Sequence, residues 1–278
     1  MNRLQNRSLA ILIALAAAGH PVALLEAQDE EVLKPIATPL PIAHAHNDYQ
    51  HPRPLQDALD QGFCSVEADV HLIDGKLLVA HDRGQTDPER TLEKLYLDPL
   101  RKRAARLSGH IFPGDPPPPF YLLIDVKSDA DETYQALHKV LEGYAHILTP
   151  FKGGTPEPGA VTVVLSGNRA RDLMKSQKLR YAGYDGRLDD LGGGETAGFM
   201  PWISDSWSTH FKWRGEGEIP AEELAKLKEL VQRTHAEGKM LRLWAAPDSP
   251  AGWRILENAN VDLINTDRLA ELREFFNP

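Results

Sequence analysis

Two short patterns in this chain hold residues able to move protons or hold a cation: His44-x-His46 in "PIAHAHNDYQ" and Glu67-x-Asp69 in "SVEADV". Histidine titrates near neutral pH, so two of them at one strand end suit a metal pair, an acid–base catalyst with a supporting neighbour, or a polar strand end. Two acids inside an otherwise apolar run are harder to read as solvated surface. Further on, Asp125-x-Lys127 closes a second apolar run, and His81 with Asp82 follows "KLLVA". Side chains two apart on a strand share a face, so Glu67 with Asp69, and Asp125 with Lys127, each point one way. Where that face is a low-dielectric interior, three carboxylates repel and take up protons unless a cation shares them. The donors are hard oxygens, which calls for one divalent cation, Mg²⁺ ahead of Ca²⁺. A histidine on the first strand and His81 folded back over the acids would then flank a bound substrate, one removing a proton and the other supplying one.

Such a constellation needs a scaffold that brings several strand ends together. Apolar, β-branched runs recur at 41–46, 65–70, 120–126, 160–166, 179–185, 199–204, 239–245 and 261–266, with amphipathic stretches between most of them. Leu224, Leu227, Leu230 and Val231 show the three- and four-residue spacing of a helix lying on a sheet. Eight strands alternating with helices imply a parallel sheet closed as a (β/α)₈ TIM barrel, whose active site collects at the carboxyl ends of the strands. Asp74-Gly75 predicts a hairpin excursion that returns His81 over the second strand. "GRLDDLGGGETAG" lacks the strand–turn–helix frame of a phosphate-binding glycine motif and reads as a loop.

Composition narrows the partners. A formal charge of −9 offers no basic surface for a nucleic acid, and "RKRAAR" at 101–106 reads as the solvated face of a helix. "FMPWISDSWSTHFKW" carries three tryptophans, which leaves a membrane-surface contact open, although a core strand followed by a loop accounts for them. The N-terminus runs from arginines through an apolar stretch to small residues and then acids. That order predicts a secretory signal over 1–27, a linker over 28–39 and one barrel domain over 40–278. Export to the periplasm or exterior is expected, or membrane anchoring if the signal is uncleaved. The single cysteine, Cys64, precludes an intramolecular disulfide.

Taken together, His46, Glu67 with Asp69, His81 with Asp82, Asp125 with Lys127, and the ending "LRLWAAPDSP…NVDLINTDRLAEL" resemble the phosphatidylinositol-phospholipase-C-like and glycerophosphodiester phosphodiesterase superfamily. More narrowly, "HAHNDYQHPRPLQDALDQGFCSVEADVHL", "LLVAHD" and "PERTLEKLYLDPL" resemble the fungal altered-inheritance-of-mitochondria phosphodiesterase-like family and its bacterial relatives. The resemblance implies a phosphodiesterase-type barrel acting on a small-molecule or lipid phosphodiester. It implies His46 and His81 as general base and acid, and a cation held by Glu67, Asp69 and Asp125. Lys127 would lie on the phosphate, with Asn47 and Trp244 against the substrate, and no protein partner is expected. Two departures bear on specificity: His46-Asn47-Asp48 stands where the glycerophosphodiesterase signature has His-Arg-Gly, and the stretch from His81 to Asp125 is too short for that group's inserted subdomain.

Two rival readings remain. A His-x-His metallohydrolase of amidohydrolase type needs further histidines on the fifth and sixth strands, where "YAGYDG" and "PWISDS" supply none. A barrel that binds a phospho-ligand without turnover would not require the full set of two histidines and three acids.

Overall fold

In the computed structural model, which describes residues 37–152 and 156–276, eight parallel strands form a barrel. In chain order they are Leu40–Ala45, Phe63–Ile73, Tyr121–Val126, Thr162–Gly167, Gly183–Gly186, Trp202–Ser206, Met240–Trp244 and Ile264–Thr266. Each neighbours the next, strand eight returns beside strand one, and a parallel bridge between Arg242 and Leu263 joins strands seven and eight. These strands belong to one compact unit, Ile36–Pro278. The expected signal segment 1–27, and the expected linker up to residue 36, lie outside the described residues.

The helices follow the amphipathic stretches. Ala130–Glu142 starts where the Asp129 side chain accepts from the Glu132 amide, and it buries Tyr134, Leu137 and Leu141 against the sheet. Each such side chain contributes roughly 1.5–3 kcal/mol by leaving water. Ala221–Ala236 turns Leu227, Leu230 and Val231 inward in the same way. The basic run 101–106 falls on the helix Asp98–Arg106, where its arginines and lysine are largely solvated. Trp202, Trp207 and Trp213 are all buried, so the tryptophan-rich segment is core strand and packed loop.

Two strand boundaries differ from the sequence reading. The second strand runs on into an antiparallel hairpin with Lys76–Val79, and Asp74 and Gly75 both take positive φ at its turn. The expected fifth strand, 179–185, is in fact two pieces. Leu179–Arg180 pairs antiparallel with Phe151–Lys152 outside the barrel, and only Gly183–Gly186 joins the barrel sheet. A run of strand-forming residues does not say which partner each part will find, and here two partners compete for one run.

Alternation along the strands sorts the barrel interior into levels. Leu123, Val164, Trp202 and Leu263, with Tyr121 and Met240, form a separate apolar cluster that closes the floor. Two residues further along the same strands stand Asp125, Ser166, Ser204, Asn265 and Arg242, and beyond these Lys127, Ser206, Asp267 and Trp244. The carboxyl end of the barrel is therefore polar, and the other end is dry.

Candidate active site

The lowest polar residue is His44, wholly buried, with its ring edge-on to Trp202 at 6.2 Å between centroids. Its Nδ1 is 2.7 Å from Ser65 Oγ and its Nε2 is 3.2 Å from Glu67 Oε2. A carboxylate only accepts, so Nε2 carries the proton and the Ser65 hydroxyl donates to Nδ1. Burial, reinforced by the nearby Arg242 charge, lowers the His44 pKa to about 4, so the ring is neutral. With both nitrogens engaged, His44 supports Glu67 and has no atom left for a metal.

Arg242 reaches Glu67 from strand seven. Its Nη2 donates to Glu67 Oε2 at 2.6 Å, and its Nε donates to Asn265 at 3.1 Å. Burial would raise the Glu67 carboxyl, but Arg242 and the His44 hydrogen bond outweigh it and hold the pKa below the ordinary range. Both bonds use Oε2, and Oε1 makes none among the described residues.

Asp69 and Asp125 are paired across adjacent strands. Asp69 Oδ2 receives the Tyr49 hydroxyl at 2.7 Å, His81 Nδ1 at 2.9 Å and Lys127 Nζ at 3.1 Å, while its buried Oδ1 has no partner. Lys127 also lies 3.1 Å from Asp125 Oδ1. Burial raises the Asp125 pKa in spite of Lys127, and the two carboxylates overcome burial to raise that of Lys127. Gly167, at φ +66°, packs directly on the Asp125 carboxylate and the Val126 backbone, where any side chain would collide. Glu67, Asp69 and Asp125 bring one oxygen each within 4.8 Å of the others. Three convergent hard donors and an orphaned buried oxygen fit a divalent cation.

The two candidate catalytic histidines are held alike. His46 Nδ1 lies 2.9 Å from Asp267 Oδ1 at the end of strand eight, and His81 Nδ1 lies 2.9 Å from Asp69. A carboxylate on Nδ1 fixes the tautomer that leaves Nε2 for chemistry. Burial disfavours the charged His46 ring, but Asp267 and Glu67 outweigh it and raise its pKa. Asn47, in the left-handed region at φ 49°, places its amide 3.0 Å from His46 Nδ1 and 2.8 Å from the Tyr49 hydroxyl. Trp244 is half-buried, and the Arg187 guanidinium lies over its ring at 5.0 Å. A cleft of about 290 Å³ beside the hairpin is lined by Tyr49, Gln50, His81, Gln85 and Arg90, among others.

All eight expected site residues thus lie at the carboxyl end of the barrel. Tyr49, Asp267 and Arg242 belong with them and were not singled out from the sequence for these positions. Tyr49 stood in view in "HNDYQ", and its burial at 4 % is what brings its hydroxyl to Asp69. Arg242 alternates with Trp244 on one strand face, a signal that an arginine inside an apolar run does offer.

A parallel (β/α)₈ barrel with paired histidines around a carboxylate cluster at its carboxyl end is the framework of a barrel phosphodiesterase. A family model described as AIM6-like phosphodiesterase domain matches residues 34–185, which include every expected site residue except Trp244. Altered inheritance of mitochondria protein 6 of Saccharomyces cerevisiae is 31% identical, covering 83% of this chain and 69% of the relative. The altered inheritance of mitochondria protein 6 homolog of Arthroderma benhamiae is 29% identical, over 96% of this chain and 98% of the relative. The chain belongs to the AIM6-like phosphodiesterase-domain family. Among solved structures, a glycerophosphodiester phosphodiesterase from Parabacteroides distasonis aligns at a TM-score of 0.49 and 14% identity, covering 84% of this chain and 94% of that one. These relatives correct one expectation. They are altered inheritance of mitochondria proteins, a description at odds with the export expected from residues 1–27. Among the described residues, no helix is long and apolar enough to cross a membrane.

Proposed function

We propose that the barrel domain, residues 40–278, is a divalent-cation-dependent phosphodiesterase acting on a small-molecule or lipid phosphodiester by histidine acid–base catalysis. The observation that carries this reading is the matched tethering of His46 and His81. Each has Nδ1 on a carboxylate and Nε2 without a protein partner among the described residues, and the carboxylate cluster lies beside both.

Glu67, Asp69 and Asp125 would hold the cation, Mg²⁺ by preference. When bound, it would supply charge neutralisation for a non-bridging phosphate oxygen. Lys127 places a second positive charge at the same phosphate, held upright by Asp69 and Asp125. One histidine Nε2 takes the proton of the attacking hydroxyl or water, and the other returns a proton to the departing alcohol oxygen. Tyr49 donates to Asp69 and so fixes the carboxylate that orients His81. Asn47 packs its amide against His46 and accepts from the Tyr49 hydroxyl, and Trp244 forms part of the substrate wall.

The test is a screen of glycerophosphodiesters, lysophospholipids, sphingomyelin, phosphoinositides and bis-aryl phosphodiesters with Mg²⁺, Ca²⁺ and Mn²⁺. Turnover is expected to require the cation, and His46→Ala and His81→Ala are each expected to lower kcat by about 10²–10⁴-fold in a folded protein. Absence of turnover across the screen, or full activity in either variant, overturns the reading.

A further inference from the structure

Beside the acids, after strands four and five, two arginines meet at the barrel mouth. Arg187 follows Asp185 by two residues at the end of strand five, and its Nη1 lies 3.0 Å from Asp185 Oδ2. Arg169, from the loop after strand four, donates to the Asp185 backbone carbonyl, to which Arg187 Nη1 also points. Two guanidinium groups therefore converge on one residue that supplies a single carboxylate. That carboxylate is already shared with the hydroxyls of Ser166 and Ser204, at 2.8 and 2.6 Å. Arg169 has no salt bridge among the described residues, and its Nε is buried without a partner. Burial, then the like charge of Arg187, lowers the Arg169 pKa and outweighs the opposing effect of Tyr184, Asp185 and Asp190.

Arg187 is a quarter exposed, so it reaches the mouth. Its Nη2 lies 3.3 Å from Ser166 Oγ, and Ser166 is paired in register with Asp125 on the next strand. Neighbouring strands stand about 5 Å apart, which puts the guanidinium within roughly two strand spacings of the carboxylate cluster. The indole of Trp244 would otherwise offer a face for a quaternary ammonium group, but Arg187 already lies over it at 5.0 Å.

We propose that Arg187, backed by Arg169 and resting on Trp244, binds a second anionic group, a carboxylate or phosphate carried by one alcohol of the diester. The proposal rests on the phosphodiesterase reading and narrows it: the substrate class is a phosphodiester with an anionic alcohol, and choline or ethanolamine esters are disfavoured.

The experiment compares p-nitrophenyl phosphodiesters whose other alcohol is glycolate, 2-phosphoethanol, ethylene glycol or choline, with Mg²⁺ present. The two anionic esters are expected to exceed the neutral ester in kcat/KM by about tenfold, chiefly through KM, with choline lowest. Whether glycolate or phosphoethanol leads distinguishes the two sources of the charge. In Arg187→Gln the ratio of anionic to neutral kcat/KM should fall to near one, and Arg187→Lys should retain part of it. Arg169→Gln, which spares the Asp185 ion pair, should lower the ratio if Arg187→Gln fails to fold. Calorimetric titration with phosphoglycolate, hydroxyethyl phosphate and phosphocholine reads the same preference without turnover. A wild-type preference for choline, no preference by either method, or an unchanged ratio in folded Arg187→Gln overturns this inference. Loss of all turnover with the calorimetric preference intact overturns the phosphodiesterase reading and keeps the anion site.

Discussion

Asp69 and Asp185 are both carboxylates on the inner face of the barrel, and both are almost wholly buried. Their neighbours treat them differently. Asp185 has both oxygens bonded, by two serine hydroxyls and by Arg187 just past its strand. Asp69 has three donors crowded on Oδ2 and none on Oδ1, and it stands beside two further acids. A buried carboxylate with both oxygens engaged stabilises a fold, whereas one left partly bare among other acids is arranged to receive something. Two arginines, Arg187 and Arg169, meet at Asp185, whereas Asp69 and Asp125 share the one lysine, Lys127.

The strongest way to break this contrast is to remove the internal cation from the acidic half. Arg242→Met leaves Glu67 buried without a counter-charge and is expected to cost about 3–5 kcal/mol in urea denaturation. Added Mg²⁺ should restore more stability to this variant than to the wild type. An equal response in both would mean that Glu67 does not share the cation.

Next comes the direct comparison of the two aspartates. Asp69→Asn is expected to weaken Mg²⁺ binding by about 10–100-fold in calorimetric titration. Asp185→Asn should lower the melting temperature and leave Mg²⁺ affinity where it was. If the two variants exchanged these effects, the carboxylate cluster would be misassigned.

The smallest effect concerns Asp48, which lies beneath the loop after strand one. It accepts from the Leu55 amide at 2.5 Å and the Tyr96 hydroxyl at 2.8 Å, its Oδ1 is unpartnered, and burial raises its pKa to about 7. The folded protein then holds a proton that the unfolded chain releases near pH 4, so stability falls as pH rises from about 4 to about 7. Asn mimics the protonated acid. Asp48→Asn should therefore gain about 1–2 kcal/mol at pH 8 and little at pH 4, read from melting curves at the two pH values. A uniform loss at both would show that the ionised carboxylate is what the loop requires.

Much of this architecture was legible in residue order. Seven of the eight barrel strands fall on the apolar runs, and Asp74-Gly75 marks the hairpin that returns His81, because strand alternation and turn chemistry are local properties. The fifth strand was misplaced at its start, since Leu179–Arg180 pairs with a segment almost thirty residues earlier that carries no local mark of that pairing. In the site, His46, Glu67, Asp69, His81, Asp125 and Lys127 were readable as strand-end residues of catalytic or ligating type. Asp267 was readable as the aspartate that ends strand eight, but not as the partner of His46. Its bond to His46 spans 221 positions in the chain and exists because strand eight closes beside strand one.

Residue types and their period-two spacing were sufficient for the barrel and the face each acid occupies, because these follow from side-chain alternation, while the family was legible as a resemblance of motifs along single segments. Tertiary structure alone decided which charges meet. Arg242 on Glu67, Asp267 on His46, and Arg187 over Trp244 join strands that are remote in sequence, and barrel closure sets each distance. Electrostatic energy depends on separation and on exclusion of water, and neither is encoded in the order of residues along the chain.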